Sequence, residues 1–307
     1  MGQTISTRGS NFVFSNILYD EVQNFRQHPD LNKALVLHID SYLNGFAHRE
    51  LITKLTSEGN KYLLALKTVA LCFGNGNYDS LTKADLQTFA RAHAIASPNR
   101  VSALVDVAVY SGYLTVQRSQ NDSRQNLLTP TEKLEQCAIA GLQPYLEPLN
   151  LLFAGIYDHL STDRSAIADI SNYVLQMYFQ NSPSRQREST LSLFISRAAG
   201  YGIFLTILRA SAIFTYHPKV IVSLPFSPLS RTFGVSRSHV QKLFQAAERA
   251  GLLRMHIQGG KQVEILPRLR KIAQDTIISS LTMAKIAFDC ASNSVQPQFR
   301  KPGFELE

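Results

Sequence analysis

Val240, Leu243, Phe244 and Ala247 recur at i, i+3, i+4 and i+7, the single apolar stripe of a half-buried helix. Ser236 stands where an N-cap is wanted, and Ala250-Gly251-Leu252-Leu253 ends the helix on glycine and opens a strand. Ahead of the cap, a short helix from Leu229 leads into a turn at Phe233-Gly234-Val235. Behind it, two strands flank a tight Gly259-Gly260 turn and run to Leu266. The side of the helix opposite the stripe carries Arg237, Ser238, Gln241, Lys242 and Gln245, all able to meet phosphates or base edges. The predicted unit is a helix-turn-helix followed by a β-hairpin.

Helical and turn patterns continue along the rest of the chain. Residues 1–30 are polar and aperiodic and read as an N-terminal arm. Apolar helices are predicted over Leu31–His48 and Lys61–Phe73, the second ended by Gly74-Asn75-Gly76-Asn77. Asp79 or Ser80 is expected to cap a helix over Leu81–His93, and Ser97, with Pro98 at the first position, caps the next. Ser111-Gly112 closes that helix, Tyr113–Val116 alternates as a strand, and Leu127-Leu128 returns before Thr129-Pro130. Long helices are predicted over Lys133–Leu160, Ser165–Phe179 and Arg268–Cys290, with a break at Asn181-Ser182-Pro183-Ser184 and a polar, disordered tail over 292–307.

The opening pattern therefore occurs twice. An offset of 139 carries Ser97 onto Ser236, Val101 onto Val240, Leu104 onto Leu243, Val105 onto Phe244, Ala108 onto Ala247, Gly112 onto Gly251 and Leu114 onto Leu253. Tyr62 falls on Tyr201 at the same offset. Leu128-Thr129-Pro130 aligns with Ile265-Leu266-Pro267 at 137, which implies a two-residue deletion at the second hairpin tip. The reading is two diverged copies of one unit, with boundaries at 31–160 and 161–291.

Charge sharpens the picture. Leu229–Lys271 holds nine Lys/Arg against two acids, a surplus of seven, while the whole chain has 31 basic and 23 acidic side chains, a surplus of eight. An excess concentrated in one window is the footprint of a nucleic-acid contact. Between Ala90 and Leu134 the surplus is only two. With 307 residues, 45% of them hydrophobic, the chain is long enough for two cores. No apolar run reaches the roughly 18 to 20 residues of a membrane span, and no signal-peptide pattern opens the chain, so a cytoplasmic protein without a membrane partner is expected. Met1–Ser6 has the written form of an N-myristoylation signal, but with no basic cluster behind it one acyl chain anchors only marginally. Cys72, Cys137 and Cys290 lack metal-ligand spacing. No Walker loop, dinucleotide turn, nucleophile elbow or metal-spaced His/Cys cluster occurs, so the chain is not expected to be an enzyme or to hold a cofactor or metal.

Helix, helix-turn-helix, wing and long flanking helices, in that order and with Gly251-Leu252-Leu253 after the recognition helix, resemble the MarR-like transcriptional regulators over most of the chain, twice. The resemblance implies a mainly α fold with small β-hairpin wings: two tandem winged helix-turn-helix units joined by long helices as a covalent pseudo-dimer, open to further homodimerisation. It implies sequence-specific binding of double-stranded DNA and transcription regulation, with half-sites about one helical turn apart. It also implies a small-molecule effector pocket between the winged helix and the dimerising helices, for which Tyr145, Phe153, Tyr157, His159, Tyr173 and Tyr178 are the candidates. An aromatic stripe at helical spacing is more often core. A tandem winged-helix replication initiator would share the chemistry, and a protein-interaction scaffold whose first copy has lost DNA binding is the third reading.

Residue roles in the second copy follow from side-chain chemistry. Arg237 and Gln241 suit guanine and adenine edges by bidentate pairing, while Ser238, His239 and Lys242 suit phosphates. Arg254, His256 and Lys261 flank the hairpin tip and would enter a minor groove or lie along a strand. In the first copy Pro98, Asn99, Ser102, Ala103 and Asp106 stand where Arg237, Ser238, Gln241, Lys242 and Gln245 stand in the second. That copy is either a weak reader acting through Asn99, Arg100, Ser102, Arg118 and Arg124, or a scaffold.

Overall fold

A computed structural model describes residues 8–47, 59–74, 81–119, 124–180, 191–211 and 220–292. The chain is mainly helical, and the described residues form two small antiparallel sheets. The first half runs α1 (Arg8–Gln27), α2 (Leu31–Ala47), α3 (Gly59–Phe73), α4 (Lys83–Ala92), α5 (Pro98–Tyr110), β1 (Leu114–Arg118), β2 (Asn126–Pro130) and α6 (Glu132–Leu152). The second runs α7 (Arg164–Gln180), the one-turn α8 (Ser192–Ile195), α9 (Gly200–Ala210), β3 (Val220–Val222), α10 (Phe226–Phe233), α11 (Arg237–Arg249), β4 (Leu253–Ile257), β5 (Gln262–Ile265) and α12 (Pro267–Ala291).

Local chemistry fixes the element ends. The Ser97 hydroxyl accepts from the Arg100 amide and the Ser236 hydroxyl from the His239 amide, so α5 and α11 start alike. Gly112 (φ 73°) and Gly251 (φ 66°) end them alike in the left-handed region. The cap of α4 is Thr82, in a reciprocal box with Asp85; Asp79 and Ser80 lie outside the described residues. α6 stops at Leu152 instead of running to Leu160, because Ala154 (φ 54°) and Gly155 (φ 76°) turn the chain out of the helix. A 3-10 turn over Asp158–Ser161 follows, and the Asp163 carboxylate caps α7 through the Ser165 amide at 2.8 Å.

The hairpins correct the sequence alignment. Val116 pairs with Leu128 and Met255 pairs with Val263, so the second strand is offset by 135 where the first is offset by 139. The bonds from Thr131 N to Tyr113 O and from Leu266 N to Leu252 O repeat the same register. Four residues, not two, are missing from the second hairpin; the likeness of Leu-Thr-Pro to Ile-Leu-Pro is two residues out of step with the strand pairing. A third strand, β3, unmarked by any sequence periodicity, is three residues that pair antiparallel with β5 to make the order β3-β5-β4. Among the described residues of the first half, a Thr82–Leu127 bridge stands in that place.

Two apolar cores form. One gathers α3, α4, α5 and the first hairpin with Leu134 of α6 and Ile167 and Leu175 of α7. The other takes α2, α9 to α12 and Leu146, Leu149 and Leu152 of α6. Packing is reciprocal between halves: α2 lies against α6 and α9, while α7 lies against α12 and α3. Residues 8–27, expected as a polar arm, form a helix on α12. Leu18 and Phe25 are buried, and Arg26 pairs with Asp275 at 2.6 Å. The tail beyond Ser292 lies outside the described residues.

His38 stands where the halves meet. Pro148 has no amide hydrogen, so the Pro144 carbonyl inside α6 lacks its helical donor. His38 Nδ1 donates to it at 2.6 Å, and Nε2 faces the Tyr201 hydroxyl of α9 at 3.3 Å. A carbonyl only accepts, so the hydrogen sits on Nδ1 and Nε2 accepts. Burial pushes the imidazole down to about 4. Because the folded value lies below the unfolded one near 6.5, the unfolded chain takes up the proton first. Stability is therefore full above pH 6.5 and is lost as pH falls toward 4, by roughly 3 kcal/mol for this group. Urea titrations at pH 7 and pH 4.5 are expected to show a smaller drop for His38→Gln, which keeps a donor for Pro144 without a titrating group. An equal drop in both proteins would remove His38 from the account.

Candidate nucleic-acid interface

α11 separates its side chains by burial. Val240, Leu243, Phe244 and Ala247 are at most 0% exposed, packed against α10 and the hairpin, and Phe226 tilts onto Phe244 with ring centroids 5.0 Å apart. Successive residues turn by about 100°, so Arg237, Ser238, Gln241, Lys242, Gln245 and Arg249 share the opposite arc, and all six are exposed. Arg249 extends the arc by one turn beyond the residues read from the sequence.

The hairpin tip is brought to the start of α11 by a contact that only glycine permits. Gly260 (φ 79°) lies so close to the Leu224 carbonyl and the Phe226 ring that an added Cβ would collide with both. The Gly260 carbonyl accepts from the Leu224 amide at 2.7 Å. Gly259 then sits beside Arg237, with its Cβ direction 4.0 Å from Nη2. Lys261 is exposed next to it. Arg254 and His256 are differently placed: both reach Glu264 on the neighbouring strand, at 3.7 and 2.8 Å. Ser238 shares a hydrogen bond with Ser236 at 3.0 Å and stays exposed.

His239 is half-buried at the edge of the exposed arc. Its Nε2 donates to the Ala198 carbonyl at 3.0 Å, tying α11 to the connection between α8 and α9. That connection brings Arg197 alongside the helix. Arg197, His239, Lys242, Gln245 and Arg249 line an open groove of about 540 Å³. Arg197 was invisible to a reading of the helix-turn-helix alone, because only the tertiary turn sets it there.

The first half presents a different face. Asn99 and Arg100 are exposed on α5, and Arg118 and Arg124 are exposed near the ends of its hairpin. The Ser102 hydroxyl accepts from Gln87 Nε2 at 3.0 Å, and Asp106 pairs with Lys83 at 2.7 Å. Tyr110, 92% exposed, occupies the place of Arg249. The arc of Pro98, Asn99, Ser102, Ala103, Asp106 and Tyr110 thus offers no cation and one paired carboxylate.

The six residues read as an effector pocket do not converge. Tyr145 packs on His38, with ring centroids 5.2 Å apart, whereas buried Tyr157 donates to Asp289 at 2.5 Å and meets Phe153 edge-on. His159 and Tyr178 are exposed and Tyr173 is half-buried. Tyr145, Phe153, Tyr157 and Tyr173 belong to one apolar core, where they serve as packing. Burial pushes the thiols of Cys72 and Cys290 up to about 12 and about 11, which keeps them protonated at neutral pH. Among the described residues no three His, Cys, Asp or Glu side chains are grouped to hold a metal ion, and no helix is long and apolar enough to cross a membrane. Comparison with protein-family models, curated proteins and solved structures returned no match.

Proposed function

We propose that the chain is a double-stranded-DNA-binding transcriptional regulator, built as two winged helix-turn-helix units of MarR-like order joined into a covalent pseudo-dimer. In this reading α11 is the dominant recognition helix and enters a major groove. One observation carries it: the solvent face of α11 holds Arg237, Gln241, Lys242 and Arg249 beside a glycine tip, and Glu248, the acid of that helix, is taken up by the Met255 amide at 2.7 Å. Such a face suits phosphates and purine edges. The reciprocal packing of α2 and α7 supports the pseudo-dimer, because a two-fold pair exchanges equivalent contacts.

The first unit positions the second and reads little. Its arc lacks cations, Arg100 stands at the arc's edge, and Lys83 is already paired with Asp106. Binding is then expected to grip one half-site firmly, with Asn99, Arg100, Arg118 and Arg124 as weak flanking contacts. In the second wing, Lys261 meets the backbone, while Glu264 holds Arg254 and His256 along the hairpin.

The roles separate by experiment. Arg237→Ala should cost about 1 to 3 kcal/mol on the preferred sequence and little on random duplex, so preference relaxes. Lys261→Ala should weaken both alike and lower the salt slope by about 1. Equal losses on preferred and random duplex for Arg237→Ala would contradict base reading by that side chain.

A further inference from the structure

The groove beside α11 has a wall that does not belong to the helix-turn-helix. Arg197 comes from the connection between α8 and α9, and that connection is built tightly. Phe194 is buried, Arg197 N bonds Phe194 O at 3.2 Å, and Gly200 N bonds Arg197 O at 3.0 Å. Ala199 takes a left-handed φ of 55°, and Gly200 packs so close to the Phe194 carbonyl that no Cβ fits. His239 clamps the turn from the other side through Ala198. The arginine is therefore held where it lies.

Its neighbours make the groove cationic. Lys242 and Arg249 are two turns apart on one helix face, with Gln245 between them, and no apolar side chain lines the space. Among the described residues none of Arg197, Lys242 and Arg249 pairs with a carboxylate. A ligand here meets guanidinium and ammonium groups that hold it by charge and hydrogen bonds. Gln245 lies about 12 Å along the axis from Arg237 at 1.5 Å per residue, close to the width of a B-DNA major groove, about 12 Å.

We propose that this groove seats the sugar-phosphate backbone of duplex DNA, with Arg197, Lys242 and Arg249 as phosphate contacts. It grips the strand on the far side of the major groove from Arg237 and the hairpin tip. The proposal rests on the DNA-binding reading above and adds a contact from outside the helix-turn-helix. Arg197 binds phosphate and carries no base preference.

The test is anisotropy of a labelled random-sequence duplex with the full chain between 50 and 200 mM salt. Each phosphate contact contributes about 0.9 to the slope of log affinity against log salt. Over that fourfold range, Arg197→Gln and Arg249→Gln should each make the loss of affinity about 3.5-fold smaller than in the wild type, and the double variant about 12-fold smaller. Arg197→Lys should restore the wild-type slope, since a phosphate accepts a point charge and a damaged turn would not be rescued. A steep wild-type slope left unchanged by both glutamines overturns the groove and leaves the DNA reading standing. A flat wild-type slope overturns both.

Discussion

Gly260→Ala is expected to lower the stability of the protein by about 2 to 5 kcal/mol. Alanine at a left-handed φ costs about 1 to 2 kcal/mol, and a methyl forced into a packed contact adds about 1 to 3. The new Cβ would meet the Leu224 carbonyl and the Phe226 ring, whose Cε1 lies 2.8 Å from its position. Either the hairpin lifts away from α10 and loses the Leu224–Gly260 bond, or Phe226 moves against Phe244 in the core. Gly251→Ala is the internal control: its φ is 66°, but nothing lies within 4 Å of an added Cβ, so only the backbone cost of about 1 to 2 kcal/mol applies. Urea unfolding of both variants checks the difference. Equal losses would mean that the hairpin tip is not seated on Leu224 and Phe226.

Lys242→Glu is expected to weaken duplex binding about 100-fold, through loss of a charge-assisted contact of about 1.5 to 3 kcal/mol and new repulsion of phosphate. Lys242 lies mid-helix on the exposed arc, with Arg197 and Arg249 in the same groove, so a carboxylate there also draws their charge away from a ligand. The matched change in the first half is Ala103→Glu, at the equivalent exposed position of α5. That substitution adds an acid to a face already carrying Asp106 and should change affinity less than about threefold, within what an exposed charge outside an interface contributes. Anisotropy on one duplex at fixed salt compares the two directly. Similar losses from both would argue that the halves share the work evenly.

Sequence reading succeeded where local chemistry decides. The 139-residue offset from Ser97 to Leu114 shares its register with matched caps, matched left-handed glycines and matched strand starts, because a cap hydroxyl, a buried stripe and a φ > 0 glycine are each written in one or two residues. It failed where pairing or distant packing decides. The second hairpin strand slipped by two residues, since Ile265-Leu266-Pro267 resembles Leu128-Thr129-Pro130 and only the ladder distinguishes them. β3 is three residues long and gains its partner from β5 across two helices. The stretch over 8–27 reads as polar because, among the described side chains of residues 18–27, the buried ones are Leu18 and Phe25, seven residues apart with polar positions between them.

The candidate site was legible in the same uneven way. The exposed arc of α11 followed from periodicity. The loss of His239, Arg254 and His256 to Ala198 and Glu264 did not, because a sequence lists donors without saying which acceptors are nearer than a ligand. Arg197 was missed for the converse reason: a cation in a turn becomes part of a site only through the fold. The tie from His38 to Pro144 belongs to the same class, although the two prolines in α6 were a visible signal that a carbonyl there needed a donor from elsewhere.

Selection of bound duplexes from a random pool, with the wild-type chain and with Arg237→Ala/Gln241→Ala in parallel, tests most directly whether α11 reads DNA. The expected result is one short enriched block of major-groove length for the wild type, lost in the double variant while weak unselective binding persists. An unenriched wild-type pool, or a block that survives both substitutions, would contradict it.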